Sequence, residues 1–310
     1  MIVPQRIRAL DLVEPSGPGR PAHLSAASSL VRVGNFLYVV ADDEHHLGVF
    51  GAAGAGAGTL LRLFEGELPE SRKKRKKKKA DVEALVLLPP FAKFTHGALF
   101  ALGSGSKPNR RRGVLLGLGA DGAVNGDPVV VDLAPMFVPL EDEFAKLNIE
   151  GAVVADGELR LFQRGNKRAG NALVRFRLAE VCELLKRGGR SDPLRPSAIQ
   201  RVELGEIDGI PLCFTDAAVL PGGSMAFTAV AEDTDDSVSD GACVGAALGM
   251  LGPEGRLRFL DRLAHAHKIE GIDARVEGNT VRLLLVTDAD DASVPAELFS
   301  AEMPMCGDAQ

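Results

Sequence analysis

Four carboxylates stand near the heads of similar short apolar runs: Glu83 in D-V-E-A-L, Glu150 in N-I-E-G-A, Asp216 in F-T-D-A-A and Glu270 in K-I-E-G-I. If the fold gathers them, they repel and raise one another's pKa values unless protons, basic side chains or a cation compensate. Calcium is the cation expected, because it accepts many oxygen ligands in loose geometry. Glu83, Glu150, Asp216 and Glu270 are therefore the candidate metal ligands, with Asn109 and Asn171 as further neutral oxygens. Glu150 and Glu270 are also candidate catalytic groups. So is His45, beside the acidic cluster Asp42–Glu44, since an imidazole titrates near neutrality. The alternative role is structural, with each carboxylate holding backbone N–H groups between repeats.

A second set of polar residues follows the next apolar run of each repeat. One group is basic: Lys107, Arg110, Arg111, Arg112, Arg164 and Lys167. The other is acidic: Asp42, Asp43, Glu44, Asp233, Asp235, Asp288 and Asp290. A pocket with a cationic wall suits an anionic ligand, so Arg110, Arg164, Asn166 and Lys167 are the candidate substrate-binding residues. In the competing reading the two groups neutralise each other in salt bridges. No G-x-S-x-G elbow, H-E-x-x-H motif or phosphate-cradling P-loop occurs, which disfavours serine hydrolase, zincin and NTPase chemistry.

Positioning these residues requires a repeat. Five segments share one plan, with a small or acidic residue opening an apolar strand, then a turn, then a second apolar strand ending in polar residues. The first is weakest, with Ser28 and Ser29 where the others carry an acid. The successive intervals Ser28–Glu83, Glu83–Glu150, Glu150–Asp216 and Asp216–Glu270 are 55, 67, 66 and 54 residues. They suit four-stranded blades with long loops. The expected fold is all-β, a five-bladed β-propeller spanning residues 1–310 as one domain. The last unit lacks an outer strand, and Gln5–Leu12 is expected to supply it, which removes exposed sheet edges. Two stretches, Leu140–Leu147 and Leu178–Lys186, have helical apolar spacing and are expected to be helices on the rim.

Composition sets outer limits. The 310 residues are 45% hydrophobic, enough for a sizeable core. The net charge is −6, and Arg72–Lys79 alone contributes eight positive charges, leaving −14 on the rest. Such an acidic body repels nucleic acid. The basic run has no interleaved aromatics to stack on bases and is expected to be a solvated loop insertion at about residues 69–80. No apolar stretch is long enough to span a membrane. The opening residues carry no secretory pattern, and Cys182, Cys213, Cys243 and Cys306 form no C-x-x-C pair, so a reducing cytoplasm is expected.

The blade starts N-I-E-G-A (148–152) and K-I-E-G-I-D (268–273) resemble those of phytase-like esterase propellers. The whole chain also resembles a bacterial family of uncharacterised propellers, through A-D-D-E (41–44), G-S-G-S-K-P-N-R-R-R-G (103–113), Q-R-G-N-K (163–167), F-T-D-A-A (214–218) and A-V-A-E-D-T-D-D (229–236). A more distant likeness is to calcium-dependent lactonase propellers. These likenesses imply a propeller and suggest metal-dependent hydrolysis of a small anionic ester, phosphoester or lactone at the channel mouth. The alternative is a non-catalytic propeller that binds a ligand or protein on the same face.

Overall fold

The computed structural model describes residues 1–165, 170–233 and 241–305. Five small antiparallel sheets surround one axis. Blade 1 comprises β2 (Ala27–Val33), β3 (Phe36–Ala41), β4 (His46–Gly51) and β5 (Thr59–Arg62). Blade 2 comprises β6 (Val82–Leu88), β7 (Ala98–Gly103), β8 (Arg112–Gly117) and β9 (Val129–Asp132). Blade 3 holds β10 (Ile149–Ala155), β11 (Glu158–Gln163), β12 (Asn171–Arg177) and β13 (Ala198–Val202). Blade 4 gains a fifth, two-residue strand: β14 (Glu206–Ile207) precedes β15 (Ile210–Val219), β16 (Met225–Asp233), β17 (Ala242–Leu251) and β18 (Leu257–Arg262). In blade 5, β19 (Ile269–Glu277), β20 (Thr280–Thr287) and β21 (Glu297–Pro304) are completed by β1 (Gln5–Ala9) from the start of the chain. The chain is a five-bladed β-propeller closed as its sequence predicts.

The innermost strands β2, β6, β10, β15 and β19 contact one another in a closed ring. Between blades, the alternate residues of each strand pack face to face. Phe162 of blade 3 and Phe214 and Phe227 of blade 4 meet edge to face at 5.0 Å. This apolar mass is what holds the polar mouth in place, since burying each such ring contributes about 2–3 kcal/mol.

Two local expectations need correction. Leu178–Lys186 is a helix (α3), but Leu140–Leu147 is not. There a four-residue helix, α2 (Ala134–Phe137), runs into a 3-10 turn at Val138–Leu140, and the chain then loops. Leu140, Phe144 and Leu147 are still buried, so their spacing reports core anchoring without a helical backbone. The basic run is not a loose loop either. Arg72–Lys78 forms a helix, α1, whose Arg75 and neighbouring Lys79 are buried while Arg72, Lys73, Lys74, Lys77 and Lys78 stay exposed. The i,i+4 spacing puts Arg75 and Lys79 on one face. Arg75 donates to the carbonyls of Pro69 and Asp43 at 3.1 and 2.8 Å, and Arg110 donates to that of Lys76 at 3.0 Å. These bonds pin the helix to blades 1 and 2. None of the described helices is long and apolar enough to cross a membrane.

Candidate functional site

Each innermost strand contains a β-bulge near its start. The extra residue is Ser28, Glu83, Glu150, Thr215 or Glu270 in blades 1 to 5. A bulge re-aims its residue away from the ladder. Glu83, Glu150 and Glu270 thereby turn into a cup of about 530 Å³ at the upper mouth. The structure brings these three predicted acids together and separates the fourth. In blade 4 the bulged residue is Thr215, fully buried, with its hydroxyl donating to the Ile269 carbonyl at 2.8 Å. Asp216 sits one residue further on and so points elsewhere.

That next layer closes the axis. Asp216 Oδ2 accepts hydrogen bonds from Ser29 Oγ of blade 1 (2.8 Å) and the Ile272 amide of blade 5 (3.0 Å). Ser29 Oγ in turn accepts from the Leu85 amide of blade 2 at 3.2 Å. Gly151 of blade 3 leaves room for this plug, because a Cβ there would lie 3.0 Å from Asp216 Cα. At Gly271 a Cβ would lie 2.9 Å from Ser29 Cα. Burial holds the Asp216 carboxyl well above the usual range, against its hydrogen bonds to Ile272 and Ser29. It is a structural group. What was expected to be a channel is a cup with a floor.

On one side of the cup the charges satisfy one another. Arg164 lies 2.7 Å from Glu232, 3.4 Å from Glu150 and 3.8 Å from Glu270. Lys268 lies 2.9 Å from Asp290, 3.2 Å from Glu232, 3.4 Å from Glu270 and 3.6 Å from Asp288. Asn148 donates to Glu150. Burial, with Arg164 opposing it and Glu270 adding to it, lifts the Glu150 carboxyl to about 8. Burial also raises Glu270, against Lys268 and Arg164.

The blade 2 side differs. Asp81, held at a φ of 57°, receives Lys79 at 2.8 Å and Arg110 at 2.7 Å. Burial opposes its ionisation, but these two cations outweigh it and keep Asp81 low. Lys79 also pairs with Asp42. Two residues on, Glu83 lines the cup yet makes no hydrogen bond or ion pair among the described residues. Burial and the nearby charges of Glu150, Asp81 and Asp42 hold it well above the ordinary carboxylate range, with Lys79 opposing. Its surroundings therefore favour the protonated form.

The other predicted site residues fall as follows. Arg110 and Arg164 line the cup. Asn166 and Lys167 lie outside the described residues. Asn171 is committed to the backbone, accepting from the Gly165 and Phe214 amides and donating to the Leu212 carbonyl. Asn109 donates to the Lys79 carbonyl at 3.1 Å. His45 belongs to a separate cavity of about 330 Å³, where its Nδ1 is 3.3 Å from the Gly66 carbonyl and burial lowers its pKa. It therefore does not meet Glu150 or Glu270. Lys268, Glu232 and Asp81 acquire site roles that their sequence positions left unassigned. Asp81 and Lys268 stand two residues before Glu83 and Glu270, the spacing that returns a strand's side chains to one face.

The predicted four-acid set does not fit calcium. Asp216 serves the layer below, and Glu150 and Glu270 already share Arg164 and Lys268. One oxygen each of Asp42, Asp81 and Glu83 lies within 4.8 Å of the others, but the Lys79 ammonium supplies the positive charge at Asp42 and Asp81.

Comparison with known proteins identifies the chain's family and its fold. The model of a family of unknown function, DUF6929, matches residues 23–303, and the chain belongs to that family. No curated protein matches the sequence significantly. Among solved structures, the chain is similar to the glutaminyl cyclase of Myxococcus xanthus (10% identity, TM-score 0.51, 99% of this chain and 98% of that one). It is also similar to a luciferin-regenerating enzyme (10% identity, TM-score 0.50, 97% and 95% of the two chains). At such identity the likeness is one of fold.

Proposed function

We propose that the cup is the active site of a hydrolase acting on a small anionic ester, phosphoester or lactone, with Glu83 and Glu150 as its acid–base pair. The observation that carries this reading is Glu83, a carboxyl that faces the cup with no side-chain partner among the described residues and whose protonated form burial favours. Burial raises both carboxyls, Glu83 well above the ordinary range and Glu150 to about 8, and carboxyls raised in this way suit general acid–base chemistry. The cup's volume also suits a small ligand. The likeness of the blade starts to those of esterase propellers supports the same class of chemistry.

In this mechanism the Glu150 carboxylate takes a proton from a water molecule. The water oxygen bonds to the acyl carbon or phosphorus as the bond to the leaving oxygen breaks. Glu83 gives its proton to that oxygen. Glu83 is then ionised and Glu150 protonated, and proton transfer through water in the cup restores both. Arg164 and Lys268 keep the cup's other carboxylates in place.

The test is turnover of p-nitrophenyl phosphate, p-nitrophenyl acetate and a simple lactone by the wild-type chain, Glu83→Gln and Glu150→Gln. Hydrolysis of one class, lost in both variants, is the expected result. Undiminished kcat/KM in either variant would overturn the reading. The saturated ion pairs of Arg164 and Lys268 favour a second reading, a binding propeller without chemistry. Ligand binding without turnover of any of the three probes would select it.

A further inference from the structure

Among the described residues, the arginines expected to bind an anion are already committed. Arg164 bonds three glutamates. Arg110 bonds Asp81, Ser106 Oγ at 2.9 Å and the Lys76 carbonyl. Arg20, on the rim, bonds Asp43 and Glu44 at 2.7 and 2.6 Å. Lys107 is different. It lines the cup, half-buried, on the turn after β7, and its ammonium makes no hydrogen bond or ion pair among the described residues.

We propose that the blade 2 side of the cup is a subsite for the phosphoryl group of a phosphoester, with the Lys107 ammonium as the group that binds it. This rests on the hydrolase reading and narrows its substrate class. The charges facing Lys107 are Arg110, Lys76 and Lys79, with Asp81 as the opposing acid. Asp81 is itself shared between Lys79 and Arg110. Three cations set against one shared acid make these surroundings net positive. A positive field attracts an anion in proportion to its charge. A phosphoryl dianion gains about twice what a carboxylate gains there. Glu83 lies on the same blade and lines the same cup, and in its protonated form it can give a proton to the leaving oxygen.

The subsite is tested by calorimetric titration of the full chain with inorganic phosphate and, separately, with acetate. Phosphate is expected to bind the wild type and to bind Lys107→Gln about 10-fold more weakly, the loss of one charge-assisted hydrogen bond. Lys107→Arg, which keeps the charge, is expected to stay within about 3-fold of wild type. Acetate is expected to bind the wild type more weakly than phosphate. Equal phosphate affinity in wild type and Lys107→Gln would overturn the subsite, as would acetate binding as tightly as phosphate or no saturable binding of phosphate. The two proposals fail separately. Glu83→Gln is expected to lose turnover while binding phosphate within about 3-fold of wild type. If it turns over normally while Lys107→Gln still loses phosphate, the hydrolase mechanism is wrong and the subsite stands.

Discussion

The two sides of the cup are built from the same repeat and spend their charges differently. Across blades 3 to 5, Arg164 and Lys268 are wrapped by Glu150, Glu232, Glu270, Asp288 and Asp290. On blade 2 two cations converge on Asp81, while Glu83 and Lys107 are left without partners among the described residues. A saturated network rigidifies a site but offers a ligand nothing new. An unsaturated pair carries an energetic cost in the free protein that a ligand can relieve. The comparison thus separates the part that holds the cup's shape from the part available for chemistry.

The largest effect should come from the unsaturated side. Glu83→Gln removes the proposed acid and should lower kcat by about 10²- to 10⁴-fold, with no loss of thermal stability; a melting curve alongside the kinetics checks both. Striking the saturated side should do the reverse. Arg164→Met leaves Glu150 without an ion pair and Lys268 alone with Glu232 and Glu270, and should destabilise the fold by about 3–5 kcal/mol, read from denaturant midpoints. Equal stability losses from the two substitutions would erase the distinction between the sides.

Glu150 bridges the two sides, and pH sharpens its role. Its carboxyl is raised from an ordinary value near 4.5 to about 8, so the folded state keeps a proton that the unfolded chain releases. Its contribution is therefore intact below pH 4.5 and is lost progressively as pH rises to 8. Glu150→Gln lacks this penalty and should be more stable than wild type by about 3 kcal/mol at pH 7. The gap should close near pH 4, as melting curves across pH will show. If Glu150 is the base of the proposed hydrolysis, the rising limb of kcat/KM for the wild-type chain should have its midpoint near pH 8.

Smaller effects are expected where the comparison says chemistry is absent. Asp216→Asn should cost about 1 kcal/mol and leave turnover unchanged, since Asp216 belongs to the plug. Adding calcium or a chelator should shift the melting temperature by less than about 1 °C, because bound cation would otherwise stabilise by mass action. A calcium-dependent rise of several degrees would restore the metal reading of the acids.

Much of the propeller is legible in the sequence because its signals are local. Apolar alternation, turn residues and their recurrence mark each blade, and the missing outer strand of the last unit points to Gln5–Leu12. The site is less legible because side chains in a strand alternate between faces, so one residue of misalignment exchanges them. Matching Asp216 to the glutamates misses that Thr215 is the bulged residue of blade 4. Gly follows Glu150 and Glu270, where the axis is crowded, but Ala follows both Glu83 and Asp216, so the next residue does not single Asp216 out. The two glycines make room, and Asp216 takes up the room. Ion pairing was beyond reach for a different reason. Lys79 and Asp42, or Arg164 and Glu232, lie 37 and 68 residues apart, and only the closed ring brings them together.

The strand that completes blade 5 also orders events in time. Ala9 pairs with Glu297, so β1 emerges from the ribosome nearly a whole chain before its partner. At about 5–20 residues per second, that is a wait of roughly 15–60 seconds. Blades 1 to 4 can form during this interval, but the ring cannot shut until blade 5 exists. The final turn of the ring is then sealed by its oldest strand, and the cup, whose floor needs all five blades, takes shape only at that moment.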